Sequence, residues 1–452
     1  YEIASCLVGS EMCIRDRPEA VLVYSGEGIG EMSRIYHRLY RTRLCRGEYR
    51  DKERSCLINN WEATYFDFNE EKIVEIAKKA ASCGIKLMVL DDGWFGKRDN
   101  DRSSLGDWFV DKRKLPNGID GLCKKINALG MKFGLWFEPE MISPVSELYA
   151  KHPDWCIHVD GRDRKEGRNQ LILDLSRDEV CDYIINSVNA VLDSANIEYV
   201  KWDMNRNMAC VGSATLPSDR QSELYHRYML GLYKVLEAIV SSHPHILFES
   251  CSGGGGRFDP GMLHYMPQTW TSDNTDALAR IDIQYGTSIC YPYSSMGAHV
   301  SAVPNHQVRR TTPISFRGNV AIPGQFGYEL DLTKLSDEDI AEIKEQTKFY
   351  EKYGEVFHRG DLYRLRNPLG DYMSAIEFVS EDKNTVIVML YSHKGTANAV
   401  LDYVCLGGLD AGAEYKKTEN GEIWTGEALM NVGIPFMADN DYKSRIWIFE
   451  KI

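Results

Sequence analysis

The sequence has no apolar run long enough to span a bilayer as a helix. It has no excess of basic charge: 53 Lys and Arg stand against 66 Asp and Glu, a net charge of −13. That balance argues against nucleic acid and against an anionic membrane surface as partners. It leaves neutral partners such as sugars open. None of the 12 cysteines forms a C-x-x-C pair, and no His/Cys group has zinc spacing. Cys83, Cys123, Cys181 and Cys290 lie inside apolar segments, where a thiol acts as a small core residue. A reducing, cytoplasmic setting is expected. Low-complexity segments and sequence-level repeats are absent too.

What is present divides into four parts. A chain of 452 residues is too long for one core and suggests two or three domains. Residues 1–17 resemble a translated sequencing adapter and are set aside from fold reasoning. Residues 18–54 read as a short strand at 18–24 and a linker helix from a preceding domain that is missing. Residues 55–357 alternate strand and helix. Strands are expected at 57–61, 86–90, 132–137, 170–173, 199–202, 246–248, 268–271 and 319–322, with helices between. Eight such units in about 300 residues are the size of a (β/α)8 TIM barrel. Residues 358–452 change texture to alternating, β-branched runs between Gly- and Asn-rich turns, as in an antiparallel β-sandwich.

The polar residues collect where those strands should end: Asp91, Asp92, Glu138, Asp174, Lys201, Asp203, Glu249 and Asp273. Catalytic side chains of such barrels come from these ends. Trp61, Trp94, Trp136, Trp202 and Trp270 flank them. Carboxylates accept hydrogen bonds from hydroxyls, and indole faces stack on sugar rings. No His stands among these ends, which weakens a metal reading, and no phosphate-binding feature accompanies the acids. Carbohydrate is the expected substrate class. Glycoside cleavage needs two carboxyls. Asp203, with Lys201 beside it to keep it ionised, suits a nucleophile; Asp273, in a Trp-rich segment, suits a proton donor of raised pKa. Glu249 and Glu138 are the runners-up.

Four segments carry a resemblance: 59–67 (NNWEATYFD), 91–96 (DDGWFG), 201–206 (KWDMNR) and 270–277 (WTSDNTDA). In this order the sequence resembles the α-galactosidases of glycoside hydrolase family 36 from residue 18 to the C-terminus. The resemblance implies an N-terminal β-supersandwich, absent here, before the barrel and the sandwich. It implies Asp203 as nucleophile and Asp273 as acid/base of a retaining exo-α-galactosidase acting on melibiose- or raffinose-type oligosaccharides. Asp91 and Asp92 match residues that hold the galactose 4- and 6-hydroxyls; Lys201, Arg168 and Asn205 match further sugar-binding positions. Trp61 and Trp136 match aromatic walls, and Cys251 and Gly253 match small residues near the 2-hydroxyl. No cofactor and no metal are implied, and the full-length protein is expected to form a homo-oligomer, a tetramer. The rival readings are an α-N-acetylgalactosaminidase, a galactosyl transferase, or a carbohydrate-binding barrel without turnover.

Overall fold

The computed structural model describes residues 21–399 and 401–452. The adapter-like stretch and the start of the strand expected at 18–24 lie outside these residues; positions 21–24 form no strand. The chain then enters the helix Gly28–Leu39, which runs on into a π-helical turn, Tyr40–Leu44.

Eight strands close into a barrel. They are β1 (Leu57–Asn59), β2 (Leu87–Leu90), β3 (Lys132–Phe137), β4 (Tyr199–Trp202), β5 (Leu247–Ser250), β6 (Gln268–Trp270), β7 (Met296–Ser301) and β8 (Gln325–Glu329). Each bonds to its neighbours in chain order, and β8 meets β1. From β1 to β6 the pairings are parallel. Every residue of β2, β4 and β5 is buried, and β2 accordingly reads as a continuous apolar run rather than an alternating one. Between β1 and β2, Asn69 caps the helix Glu70–Ser82: its side chain accepts from the Lys72 N–H at 2.9 Å. That helix buries Ile73, Ile76, Ala77 and Ala80, the stripe its spacing predicts.

Two expected strands are corrected. Leu171–Ile172 is not a barrel strand; it pairs antiparallel with Met141–Ile142 in a small separate hairpin. Residues 319–322 are not a strand either, because the helix Ile314–Ala321 occupies them. The seventh and eighth barrel strands are β7 and β8, which the sequence reading passed over.

Two compact units make up the described chain. The first comprises Leu44–Asp273 and Tyr328–Leu335; the second comprises Leu22–Arg43, Asn274–Gly327 and Ser336–Ile452. All the candidate site residues named above belong to the first.

In the second unit, a six-stranded antiparallel sheet runs in the order Asp361–Arg366, Met373–Val379, Thr385–Ser392, Lys443–Lys451, Glu414–Lys417, Ile423–Thr425. A two-stranded sheet, Asp402–Val404 with Ile434–Phe436, joins it over one apolar core that includes Val388, Leu390, Val404, Phe436 and Phe449. An acid is enclosed in the sheet region of this unit. Glu377 faces Val388 and Tyr363 across the ladder and is fully buried. Its Oε2 accepts from the Gly407 N–H at 2.7 Å, whereas Oε1 has no partner. Burial pushes its pKa well above the ordinary carboxyl value, against the pull of that N–H. The folded acid therefore holds its proton to higher pH than the unfolded chain does, and folding takes up a proton in the interval between the two. Stability is full below the ordinary Glu pKa and falls as pH rises, by about 1.4 kcal/mol per pH unit until the folded pKa is reached. Glu377→Gln removes that slope. In thermal melts the variant should compare least well with the parent near pH 4 and gain on it as pH rises from the ordinary Glu pKa toward the raised one.

Candidate active site

The ends of β2, β3, β4 and β6 supply the acids. Asp91 and Asp92 follow β2 and are buried. Asp91 Oδ2 accepts from Asn59 Nδ2 at 2.6 Å and from Lys201 Nζ at 3.0 Å, while Oδ1 takes the Asp92 N–H at 2.9 Å. Lys201 also lies 5.7 Å from the centre of the Trp270 ring. Burial alone would lower the Lys201 pKa. The charges of Asp91 and its neighbours outweigh burial and raise it well above the ordinary value. Lys201 thus stays cationic, but its hydrogen-bonded partner is Asp91. The Asp203 charge is among those that raise the Lys201 pKa, although the hydrogen bond goes to Asp91.

Asp92 meets a residue the sequence reading did not single out. Arg98 approaches it with Nε at 3.0 and 3.2 Å from the two oxygens and Nη2 at 2.9 Å. Both side chains are buried. Burial raises the Asp92 pKa, and the Arg98 guanidinium pulls it down. Arg98 also donates to the Ser103 carbonyl at 2.8 Å, so the loop after β2 is folded back onto its own acid. Its place six residues after Asp92, in a Gly96-Lys97-Arg98 turn, is the sequence signal that could have found it.

Asp203 follows β4. Its Oδ2 accepts from Trp136 Nε1 at 3.1 Å and Asn205 Nδ2 at 2.7 Å; its Oδ1 accepts from the Met204 N–H at 2.8 Å. Three donors on two oxygens fix the direction of the carboxylate. Trp136 is itself held: it is 2 % exposed and stacks on Phe95 at 6.2 Å. Trp61 is only half-buried, edge-on to Tyr65 and Phe66 at 5.1 and 5.2 Å. Trp94 and Trp202 are wholly core, and Trp202 Nε1 donates to Glu140 at 2.8 Å.

Asp273 accepts from Trp270 Nε1 at 3.2 Å. Its carboxyl is open to solvent, yet it lies deep within the surrounding protein. That enclosure raises its pKa first and the charge of Asp203 second, with Lys201 and Arg168 opposing. Gly254 brings its loop against this segment. At φ +90 an added Cβ would sit 2.6 Å from the Ser272 Cα, so only glycine fits. At Gly253 a Cβ would meet nothing nearer than Asn205 Oδ1, at 3.9 Å. Cys251 is buried, and burial followed by the Asp203 charge holds its thiol well above the usual pKa.

Arg168 and Asn169 have φ +52 and +60. They form the tip of a two-residue turn closed by Gly167 and Gln170, which exchange backbone hydrogen bonds at 3.2 and 3.1 Å. Positive φ at both central positions is the type I′ geometry. The turn carries Arg168 Nη1 to Asn205 Oδ1 at 2.7 Å. Enclosure opposes its charge, and Asp203, Glu138 and Asp273 more than restore it. Two further acids on the initial roster, Asp174 and Glu249, make their hydrogen bonds away from this cluster. Asp174 lies off the barrel strands and binds Ser176 Oγ at 2.6 Å and Ser213 Oγ at 2.5 Å. Glu249 is buried within β5 and accepts from Gln268 Nε2 at 2.5 Å.

Comparison with known proteins follows from this geometry. The melibiase family profile matches residues 15–360, and that of the glycosyl hydrolase family 36 C-terminal domain matches 373–449. Alpha-galactosidase AgaA of Geobacillus stearothermophilus is 59% identical over 432 residues, 95% of this chain and 59% of that protein. Alpha-galactosidase Mel36A of Lactobacillus acidophilus is 47% identical over 436 residues, 96% of this chain and 59% of that protein. A crystal structure of an AgaA variant in complex with raffinose superposes with a TM-score of 0.94 at 58% identity, covering 95% of this chain and 60% of that one. The chain spans about three-fifths of the length of these relatives.

Proposed function

The chain belongs to the melibiase family, the α-galactosidases of glycoside hydrolase family 36, and on that premise we propose that it is a retaining exo-α-galactosidase. Its substrates are terminal α-D-galactosyl groups of melibiose- or raffinose-type oligosaccharides, as the raffinose complex of the AgaA variant supports. The observation that carries the reading is the contrast between two carboxyls. Asp203 is held by three N–H donors, whereas Asp273, reached by solvent, has its pKa raised by the protein around it and by the Asp203 charge. That division of labour suits a nucleophile and a proton donor.

In the first step a carboxylate oxygen of Asp203 bonds to the anomeric carbon. The glycosidic C–O bond breaks, and its oxygen takes the Asp273 proton. Asp273, now a base, then deprotonates water, whose oxygen displaces Asp203. Asp91 and Asp92 accept from the 4- and 6-hydroxyls, and Lys201 and Arg168 donate to the sugar. Trp61 and Trp136 wall the ring, and Cys251 and Gly253 lie near the 2-hydroxyl, where Cys251 leaves little room for an N-acetyl group. A thiol-rich chain fits a reducing cytoplasm. The test is the anomer released first, read by proton NMR in the opening minutes of hydrolysis. Double displacement gives α-galactose; β-galactose as first product would sink it. No turnover at all would favour a binding barrel instead.

A further inference from the structure

The mechanism above requires Asp203 to be aimed at one carbon, and Glu138 stands behind the groups that aim it. Glu138 directly follows β3 and is 1 % exposed. Its Oε1 accepts from Gln170 Nε2 at 2.7 Å and from the Asn205 backbone N–H. Asn205 then divides its side chain between the two sides of the site. Nδ2 donates to Asp203 Oδ2 at 2.7 Å, and Oδ1 accepts from Arg168 at 2.7 Å. Gln170 closes the turn that carries Arg168. One buried oxygen therefore pins two separate segments, the one after β4 and the type I′ turn, and both converge on Asp203.

We propose that Glu138 is the positioning residue for the nucleophile: through Asn205 and Gln170 it keeps the Asp203 carboxylate and the Arg168 turn in reacting register. The proposal rests on the reading of Asp203 given above. Asp203, Arg98 and Arg168 are the charged groups facing Glu138. Burial, then the charge of Asp203, lifts its carboxyl to about 8, so it is neutral over much of the acid-to-neutral range. A neutral carboxyl is matched in shape by an amide. Glu138→Gln keeps an oxygen for Asn205 and Gln170; Glu138→Ala removes it.

A misplacement of the order of 1 Å costs about 100-fold in rate. The test compares the 452-residue chain with its Glu138→Gln and Glu138→Ala variants, using an aryl α-galactoside and an activated fluorosugar whose leaving group needs no proton. Labelling by the fluorosugar reads the attack of the nucleophile alone, per folded molecule, and peptide mapping locates the label. The expected result is a Gln variant within about threefold of the parent and an Ala variant labelled, on Asp203, about 100-fold more slowly. The Ala variant's kcat should fall in step while KM changes little, because Asp91, Asp92 and Lys201 still bind the sugar. Three results overturn the proposal: an Ala variant labelled at the parent rate, whatever its melting temperature; equal slowing in both variants; or a loss confined to KM. A label on another residue, or none on the parent chain, would overturn the galactosidase mechanism itself.

Discussion

Asp203→Ala is expected to lower kcat on an aryl α-galactoside by about 10⁶-fold, the scale seen when a covalent nucleophile is removed. The fold should be indifferent to the change. Asp203 is at a strand end, its contacts are with donors at the barrel mouth, and the truncation opens a small space there. Trp136 Nε1 and Asn205 Nδ2 then face that space, which a small anion can fill. Azide at high concentration should therefore restore part of the rate on a substrate with a good leaving group. It would attack from the side the carboxylate occupied and yield β-galactosyl azide. The anomeric configuration of that product is the informative measurement. An α-azide, or residual turnover within tenfold of the parent, would falsify the nucleophile assignment.

How far the sequence disclosed all this depends on which partners each element needs. β2, β3 and β4 are largely apolar strands followed by acids, and burial on both faces favours that pattern wherever the strand pairs. Leu171–Ile172 carries the same local pattern, an apolar pair before Asp174, yet it pairs with Met141–Ile142. What separates it from a barrel strand is the identity of a partner some thirty residues away, which no local window contains. β7 failed for the opposite reason. Gly297, His299 and Ser301 interrupt the apolar run although all six of its residues are buried. The eightfold count held because two strands placed wrongly offset two overlooked. The acids at the mouth were legible because a charge ending a buried strand needs a reason. Their immediate partners were not: Arg98 reaches Asp92 by a loop folding back, and Glu138 reaches Asp203 only through Asn205. The hydrogen bond from Lys201 to Asp91 was equally hidden, since it crosses the barrel interior between strands far apart in sequence.

Asp273→Asn should behave quite differently from Asp203→Ala, and the difference lies in the leaving group. An alkoxide as basic as the glucosyl oxygen of melibiose cannot depart without a proton. On melibiose or raffinose the variant is expected to lose about 10³–10⁴-fold in kcat/KM, the range of general-acid assistance. An activated aryl galactoside departs unaided, so its first step should proceed within about tenfold of the parent. The second step still lacks its base, and the galactosyl-enzyme should accumulate, seen as a burst of phenol followed by slow turnover. Azide needs no base. It should speed the steady state and give α-galactosyl azide, the opposite anomer to that from Asp203→Ala. The pH profile supplies an independent check. Asp273 must be protonated for the first step, and its enclosed setting raises its pKa above the ordinary Asp value. In the parent, kcat/KM on raffinose should hold on the acid side and fall as pH rises through that raised pKa. The variant should lose this alkaline limb. Equal losses on activated and natural substrates, with the limb unchanged, would assign the proton to another residue.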